Sequence, residues 1–299
     1  MNRPTDAQAR AAFDLADQAA YQAWRAAKLA HFPESLTELV VQVRDPRRLS
    51  PGERQALLER CARANMAIYA GPTGGDADKE IPRLLGLQLG LRDLDPNYLA
   101  DDDGISALAV AERGTRGEFI PYTNRGIKWH TDGYYNPGEC TVRAVLLHCV
   151  ERAETGGENE LLDHEIAYIR LRDLNPQHIR ALMEHDAMTI PARIEAGRVE
   201  RAAQAGPVFS VDADGFLHMR YTARTLSIEW NNNAATQAAL AALEDILVAE
   251  SPWVFRGRLE PGMGLVSNNV LHTRTPFADS PRHQRLIYRA RYYQRVGAG

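Results

Sequence analysis

Apolar residues along the chain recur in two rhythms, one helical and one of strands. Between positions 6 and 30, Phe13, Leu15, Ala16, Ala19, Ala20 and Trp24 fall at helical spacing in an Ala-, Gln- and Arg-rich background. This predicts an N-terminal helix packed on the body of the protein, with a homo-oligomer contact as the alternative use of such an arm. Leu39 to Val43 reads as a strand that Asp45-Pro46 stops. Ser50-Pro51-Gly52-Glu53 has the shape of a capping box with proline at the first helical position, opening a helix through about Ala64. Met66 to Gly71 follows as a short buried strand, then a Gly-, Pro- and Asp-rich loop to Asp78 and a helix over 81–91.

Strands dominate the rest. An apolar strand is expected over 105–112, and Thr141 to Val150 is nearly continuous in apolar residues, as befits a strand buried on both faces. Its His148 and Cys149 are adjacent, so they point to opposite faces and cannot grip one ion together. Glu154 to Asp163 reads as a glycine-hinged turn running into a strand, followed by helices over 164–172 and 175–184. Short strands are expected near 189–191, 208–211 and 216–221, then a helix over 234–249 with Leu240, Leu243, Ile246 and Leu247 inward. Leu265 to His272 and Arg285 to Tyr293 close the chain. In the last segment Arg285, Arg289 and Arg291 share one face, with Leu286, Tyr288, Ala290 and Tyr292 on the other.

Composition narrows the function classes. The chain of 299 residues is 44% hydrophobic and 25% charged with a formal net charge of -4, which points to an ordinary globular protein. No basic excess suggests nucleic acid, and no polybasic run or long apolar stretch suggests a membrane. Charges throughout the first thirty residues argue against a signal peptide. Three cysteines without CxxC spacing argue against a disulfide scaffold, so a cytoplasmic location is expected. Asp101-Asp102-Asp103-Gly104 invites a calcium loop with Glu112 at its twelfth position. Ser106 stands where the loop needs glycine, however, and Ile105 cannot serve as a ligand, so a solvated turn is the better reading.

The chemistry concentrates at Trp129-His130-Thr131-Asp132-Gly133. In an extended strand His130 and Asp132 project to one side and can hold one metal ion together. A composition with 9 His and 39 acidic residues produces about one such pair by chance, so the pair alone proves little. A second histidine, His272, would complete a 2-His-1-carboxylate triad suited to a first-row divalent metal. An arginine on the inside of the last strand needs an anionic partner, and a dicarboxylate cosubstrate would supply one.

The His130-Thr131-Asp132 segment, the Gly156-Gly157-Glu158-Asn159 turn, His272 and Arg289, in that order, resemble the taurine dioxygenase (TauD/TfdA) family of iron(II)- and 2-oxoglutarate-dependent oxygenases. That resemblance implies an α+β protein with a mainly β core, a double-stranded β-helix (jelly-roll) barrel with flanking helices. The whole chain, 1–299, would be one dioxygenase domain. Residues 1–115 would supply N-terminal helices and outer strands, and 116–299 the metal- and cosubstrate-binding barrel with a helical insertion. His130, Asp132 and His272 would hold Fe(II). Arg289 would hold the distal carboxylate of 2-oxoglutarate, Arg285 would lie near its metal-proximal end, and Asn159 would sit near the distal carboxylate in place of the more usual threonine. The length from His272 to Arg289 leaves Arg285 and Arg291 as alternatives to Arg289. With O2 as the second cosubstrate, the resemblance implies hydroxylation of a small-molecule substrate with release of succinate and CO2. Related halogenases replace the carboxylate, so Asp132 favours an oxygenase. Tyr122, Asn124, Arg220 and Arg224 are candidate substrate residues, with His218 near them, and the positive charges suggest a small polar substrate bearing an acidic group. A zinc hydrolase on the same triad and a non-catalytic jelly-roll binding protein are the alternative classes.

Overall fold

A computed structural model describes residues 10–96, 101–111, 114–195, 197–224 and 228–297. Ten strands frame the site: β1 (Val40–Gln42), β2 (Met66–Ala70), β3 (Ser106–Leu108), β4 (Ile127–His130), β5 (Ala144–Glu151), β6 (Asn159–Leu162), β7 (Val254–Gly257), β8 (Met263–Ser267), β9 (Leu271–Arg274) and β10 (Leu286–Tyr292). Six form one sheet in the order β1-β2-β8-β5-β10-β3, and four form a second in the order β7-β6-β9-β4. Only β1 and β2 run parallel within these sheets; the remaining neighbours are antiparallel.

Helices cover both sheets. α1 (Gln18–Ala30), α2 (Pro51–Ala64), α3 (Glu80–Gln88), α4 (His164–Leu174), α5 (Pro176–Leu182) and α6 (Ala234–Val248) are the α-helices longer than one turn among the described residues. One apolar cluster, including Leu57, Leu85, Leu146 and Tyr292, seals α2 and α3 against the six-stranded sheet. A larger one, including Trp129, Leu161, Tyr168 and Leu243, joins the four-stranded sheet to the insertion between β6 and β7. No helix among the described residues is long and apolar enough to cross a membrane.

Local signals translate directly where the chemistry is local. The Ser50–Glu53 capping box forms in full: the Glu53 N–H donates to Ser50 Oγ at 3.3 Å and the Ser50 N–H to Glu53 Oε2 at 2.7 Å. The helix expected over 6–30 is interrupted, because Asp17 caps a new start and its carboxylate accepts from the Ala20 N–H; positions 6–9 lie outside the described residues. Phe13 still packs edge-on against Tyr168 of α4, 5.5 Å between centroids, so the arm lies on its own body. The strand expected over 105–112 is confined to β3, with Glu112 outside the described residues. Asp101 and Asp103 meet Lys79 at 2.6 and 3.1 Å, and Asp101 also pairs with Arg116, so this acidic turn is neutralised by side chains. His148 and Cys149 are both fully buried, as expected for β5.

A buried ion cluster locks α1 to α4. Lys28 lies 2.6 Å from Asp163 and 2.5 Å from Glu165, and Asp163 also caps α4. Burial penalises the Glu165 carboxylate, but Lys28 and its other cationic neighbours win and hold it below the ordinary value of 4.5. A depressed carboxylate adds stability that is complete above its unfolded value and is lost as pH falls through its folded one. Thermal melting should therefore weaken below about pH 4.5. Lys28→Ala should cost about 3–5 kcal/mol at neutral pH, because it strands two buried carboxylates. Melts of both proteins between pH 7 and 3 check this; a pH-independent midpoint would contradict it.

Candidate active site

β4 and β9 are antiparallel neighbours, and His130 and His272 are direct register partners. Residues opposite each other in an antiparallel pair send their side chains to the same face, and the two rings lie 4.1 Å apart between centroids. Asp132, two residues beyond His130, joins them: one ligand atom from each of the three lies within 4.8 Å of the others. His130 Nδ1 is 2.9 Å from the Lys128 carbonyl and His272 Nδ1 is 3.0 Å from the Val270 carbonyl. Both carbonyls must accept, so each Nδ1 carries the hydrogen and each Nε2 presents a lone pair.

The electrostatics suit a cation. Burial, with His272 alongside, pushes His130 down to about 3, so the ring is neutral at physiological pH. Burial would raise Asp132, but Arg289, Arg291 and the two histidines overcome it and hold the carboxyl below its usual range. Asp132 Oδ1 accepts from Arg289 at 3.1 Å, while the buried Oδ2 has no hydrogen-bond partner. An orphaned carboxylate oxygen beside two imidazole lone pairs is the donor set of a divalent first-row metal, so these residues fit an iron ion.

The turn after the ligands is held by a residue with little sequence signature. Asn269 accepts the Asp132 N–H at 2.7 Å and donates to the carbonyls of Asp132 at 2.9 Å and Val142 at 2.7 Å. It does so in the left-handed region, φ 53°, which asparagine tolerates better than most residues. Gly133 follows with φ 68°, and a Cβ there would meet Val142 at 2.4 Å. Asn269→Ala should weaken ferrous-ion affinity roughly 10- to 100-fold, the usual cost of losing a residue that orients a ligand. Asn269→Gly keeps the backbone freedom without the amide, so metal titration of both separates the two contributions. Wild-type affinity in the glycine variant would refute the amide's role.

The arginines divide. Arg289 and Arg291 are 8% and 2% exposed, so this face of the last strand is interior. Arg291 pairs with Asp95 and donates to the Tyr135 hydroxyl at 2.8 Å, which leaves it committed. Arg289, the residue expected at the far end of a cosubstrate, instead touches Asp132. Arg285, expected at the near end, lies with Gly156, Gly157, Asn159, Leu147 and Ile287 around a small cavity. Its guanidinium stacks over Phe277 at 5.1 Å and has no carboxylate within ion-pair distance among the described residues. Asn159 lines the same cavity and donates to the Thr273 carbonyl at 2.6 Å.

The remaining candidates scatter. Tyr122 is buried at 1% exposure, with Arg116 over its ring at 5.3 Å. Asn124 is exposed, and its carbonyl accepts from Phe277. Arg220 donates to the carbonyls of Tyr134, Met188 and Gln204. Arg224 is exposed and reaches the Tyr134 hydroxyl at 3.5 Å. A residue not singled out by sequence, Arg274, spends its guanidinium on the carbonyls of Ile120, Pro121, Thr123 and Arg125, and so holds the segment before β4. It stands two residues after His272, but the ladder shifts register between the two, so strand alternation alone does not mark its face.

With this geometry in place, comparison with known proteins is decisive for ancestry. The Taurine catabolism dioxygenase TauD, TfdA family matches residues 26–290. The chain belongs to this family. Among relatives, a uridine-5'-phosphate dioxygenase from an Amycolatopsis species is 32% identical over 176 residues, 57% of this chain. That match spans 62% of the relative's own length, less than two thirds. A uridine-5'-phosphate dioxygenase from a Streptomyces species is 29% identical over 65% of this chain and 72% of its own. Among solved structures, the non-heme iron oxygenase OrfP in complex with Fe and alpha-ketoglutaric acid superposes with a TM-score of 0.59. It is 16% identical, over 84% of this chain and 81% of that one. AAD-2 in complex with Mn(II) and N-oxalylglycine gives 0.56 at 14% identity, over 90% and 94%. These structural likenesses establish a shared fold with mostly β sheets flanked by helices.

Proposed function

We propose that the chain is an iron(II)- and 2-oxoglutarate-dependent dioxygenase that hydroxylates a small polar, anionic molecule and releases succinate and CO2. The observation that carries this reading is the cluster of His130, Asp132 and His272, one ligand atom from each within 4.8 Å of the others, with Asp132 Oδ2 unpartnered. Bound there by His130, Asp132 and His272, iron would supply oxygen activation, with sites left over for the cosubstrate and O2. The two sheets are read as the double-stranded β-helix of a single domain, with the insertion between β6 and β7 covering its mouth. A cytoplasmic setting is kept as part of the reading.

The chain's own residues do the positioning. Asn269 and Arg289 both fix Asp132, one through the backbone and one through the carboxylate. The geometry favours exchanging the two arginine roles: Arg285, with no ion-pair partner among the described residues, binds the distal carboxylate of 2-oxoglutarate beside Asn159, and Arg289 faces the metal-proximal end. Arg274 holds the 120–125 segment, which borders the metal strand. Two relatives named for uridine-5'-phosphate favour a phosphate monoester as the substrate class.

The test supplies ferrous iron, 2-oxoglutarate and oxygen to the full chain and follows oxygen uptake and succinate release across phosphate monoesters and their neutral parents. Iron- and 2-oxoglutarate-dependent succinate release, stimulated by the anionic compounds, is expected. Turnover that needs zinc and no oxygen would overturn the reading.

A further inference from the structure

A second cavity, about 280 Å³, lies behind the turn that follows the metal ligands. Asp132 and Tyr134 form one wall; Arg143, Asp212, His218 and Arg220 form the others. That volume is close to the lower end of small-molecule sites.

The charges around it do not balance. Arg143 is paired with Asp212 at 2.7 Å, and Asp132 is paired with Arg289. Arg220 has only the carbonyls of Tyr134, Met188 and Gln204, and no carboxylate within ion-pair distance among the described residues. Arg201, close enough to Arg220 to disfavour its charge, donates to the Pro191 carbonyl and leaves its buried Nε without a partner. Arg220 is half-buried; carbonyl dipoles orient its guanidinium but leave its net charge in place, so an anionic guest would supply the missing counter-ion. His218 adds an imidazole with no hydrogen bond of its own among the described residues, free to donate to a guest. The Nε–H of Arg220 donates to the carbonyl of Tyr134, two residues beyond Asp132, so an anion seated at Arg220 lies beside the metal turn.

We infer that this cavity seats the phosphate group of the substrate, with Arg220 as the fixed cation, Arg143 as the adjustable one and His218 as a donor. This rests on the dioxygenase reading and on the phosphate-monoester substrate class proposed above. The cavity's volume exceeds what one phosphate fills, which favours a monoester over the free ion.

Isothermal titration of the full chain, without iron or 2-oxoglutarate, uses uridine-5'-phosphate, uridine and inorganic phosphate as probes. The monoester should bind at least about tenfold more tightly than either uridine or inorganic phosphate, since it alone carries both the charge and the bulk. Two substitutions on the far wall then move affinity in opposite directions. Asp212→Asn keeps the Oδ1 that accepts the Asp214 and Phe216 N–H groups and releases Arg143, so it should tighten binding roughly five- to tenfold. Arg143→Gln leaves Asp212 uncompensated and should weaken it by a similar factor. Misfolding cannot produce the gain. Equal binding of uridine and its phosphate, inorganic phosphate binding as tightly as the monoester, or affinities indifferent to both substitutions would each overturn the assignment. The dioxygenase reading fails separately, by an absence of iron- and 2-oxoglutarate-dependent succinate release from wild-type protein.

Discussion

His130→Ala should abolish turnover while leaving a folded protein. The substitution removes one of three ligands, so succinate release should fall on the order of a thousandfold or more, and ferrous iron should no longer give the weak visible charge-transfer band of a bound 2-oxo acid under anaerobic conditions. Stability should change little, because the ring is held neutral and its loss strands no charge. Asp132→Ala should differ in kind. It also removes the partner that Arg289 holds at 3.1 Å, and leaving a buried guanidinium unpaired costs about 3–5 kcal/mol. A comparison of thermal midpoints with anaerobic metal titrations separates the two variants. If His130→Ala retained wild-type metal affinity and succinate release, the triad would not be the iron site.

What could be read from sequence divides by range of interaction. The capping box at Ser50 and the shared face of His130 and Asp132 depend on residues two or three positions apart, and local geometry suffices for both. That His272 stands directly opposite His130 depends on the register of strands far apart in the chain, which no spacing rule contains. The last strand shows the same limit. Alternation told which arginines share a face, but not that the face is interior, nor that Arg291 is taken by Asp95, 196 positions away. Asn269 was invisible for a related reason: its contacts are with Asp132, 137 positions away, and its left-handed backbone leaves only the faint signal of an asparagine before a strand. The hairpin of Arg193–Glu195 with Arg198–Arg201 escaped detection because Ile194 and Val199 are both 64% exposed, so no apolar-inward alternation marks it. The helix expected over 81–91 stops at Gln88, and Gly90 turns the chain with φ 87°.

Arg285→Ala should raise the KM for 2-oxoglutarate about a hundredfold and leave kcat at saturation comparatively unchanged. Truncating a charge that pairs with a bound carboxylate typically costs about 2–5 kcal/mol of binding, and a group that touches only the remote end of a cosubstrate acts on ground and transition states alike. Burial lowers Arg285 to about 10, which leaves it cationic at neutral pH, with Asp279 favouring the charge from a distance and the Phe277 ring stacked at 5.1 Å. Because that charge has no ion-pair partner among the described residues, its removal should leave the thermal midpoint unchanged or raise it. Arg289→Ala should do the opposite: lower the midpoint and weaken metal binding, since Asp132 then loses its brace. The pair of variants therefore distinguishes two arginines only four positions apart on one face. A normal KM for 2-oxoglutarate in Arg285→Ala, together with a large rise in Arg289→Ala, would restore the order expected from sequence alone and assign the distal carboxylate to Arg289.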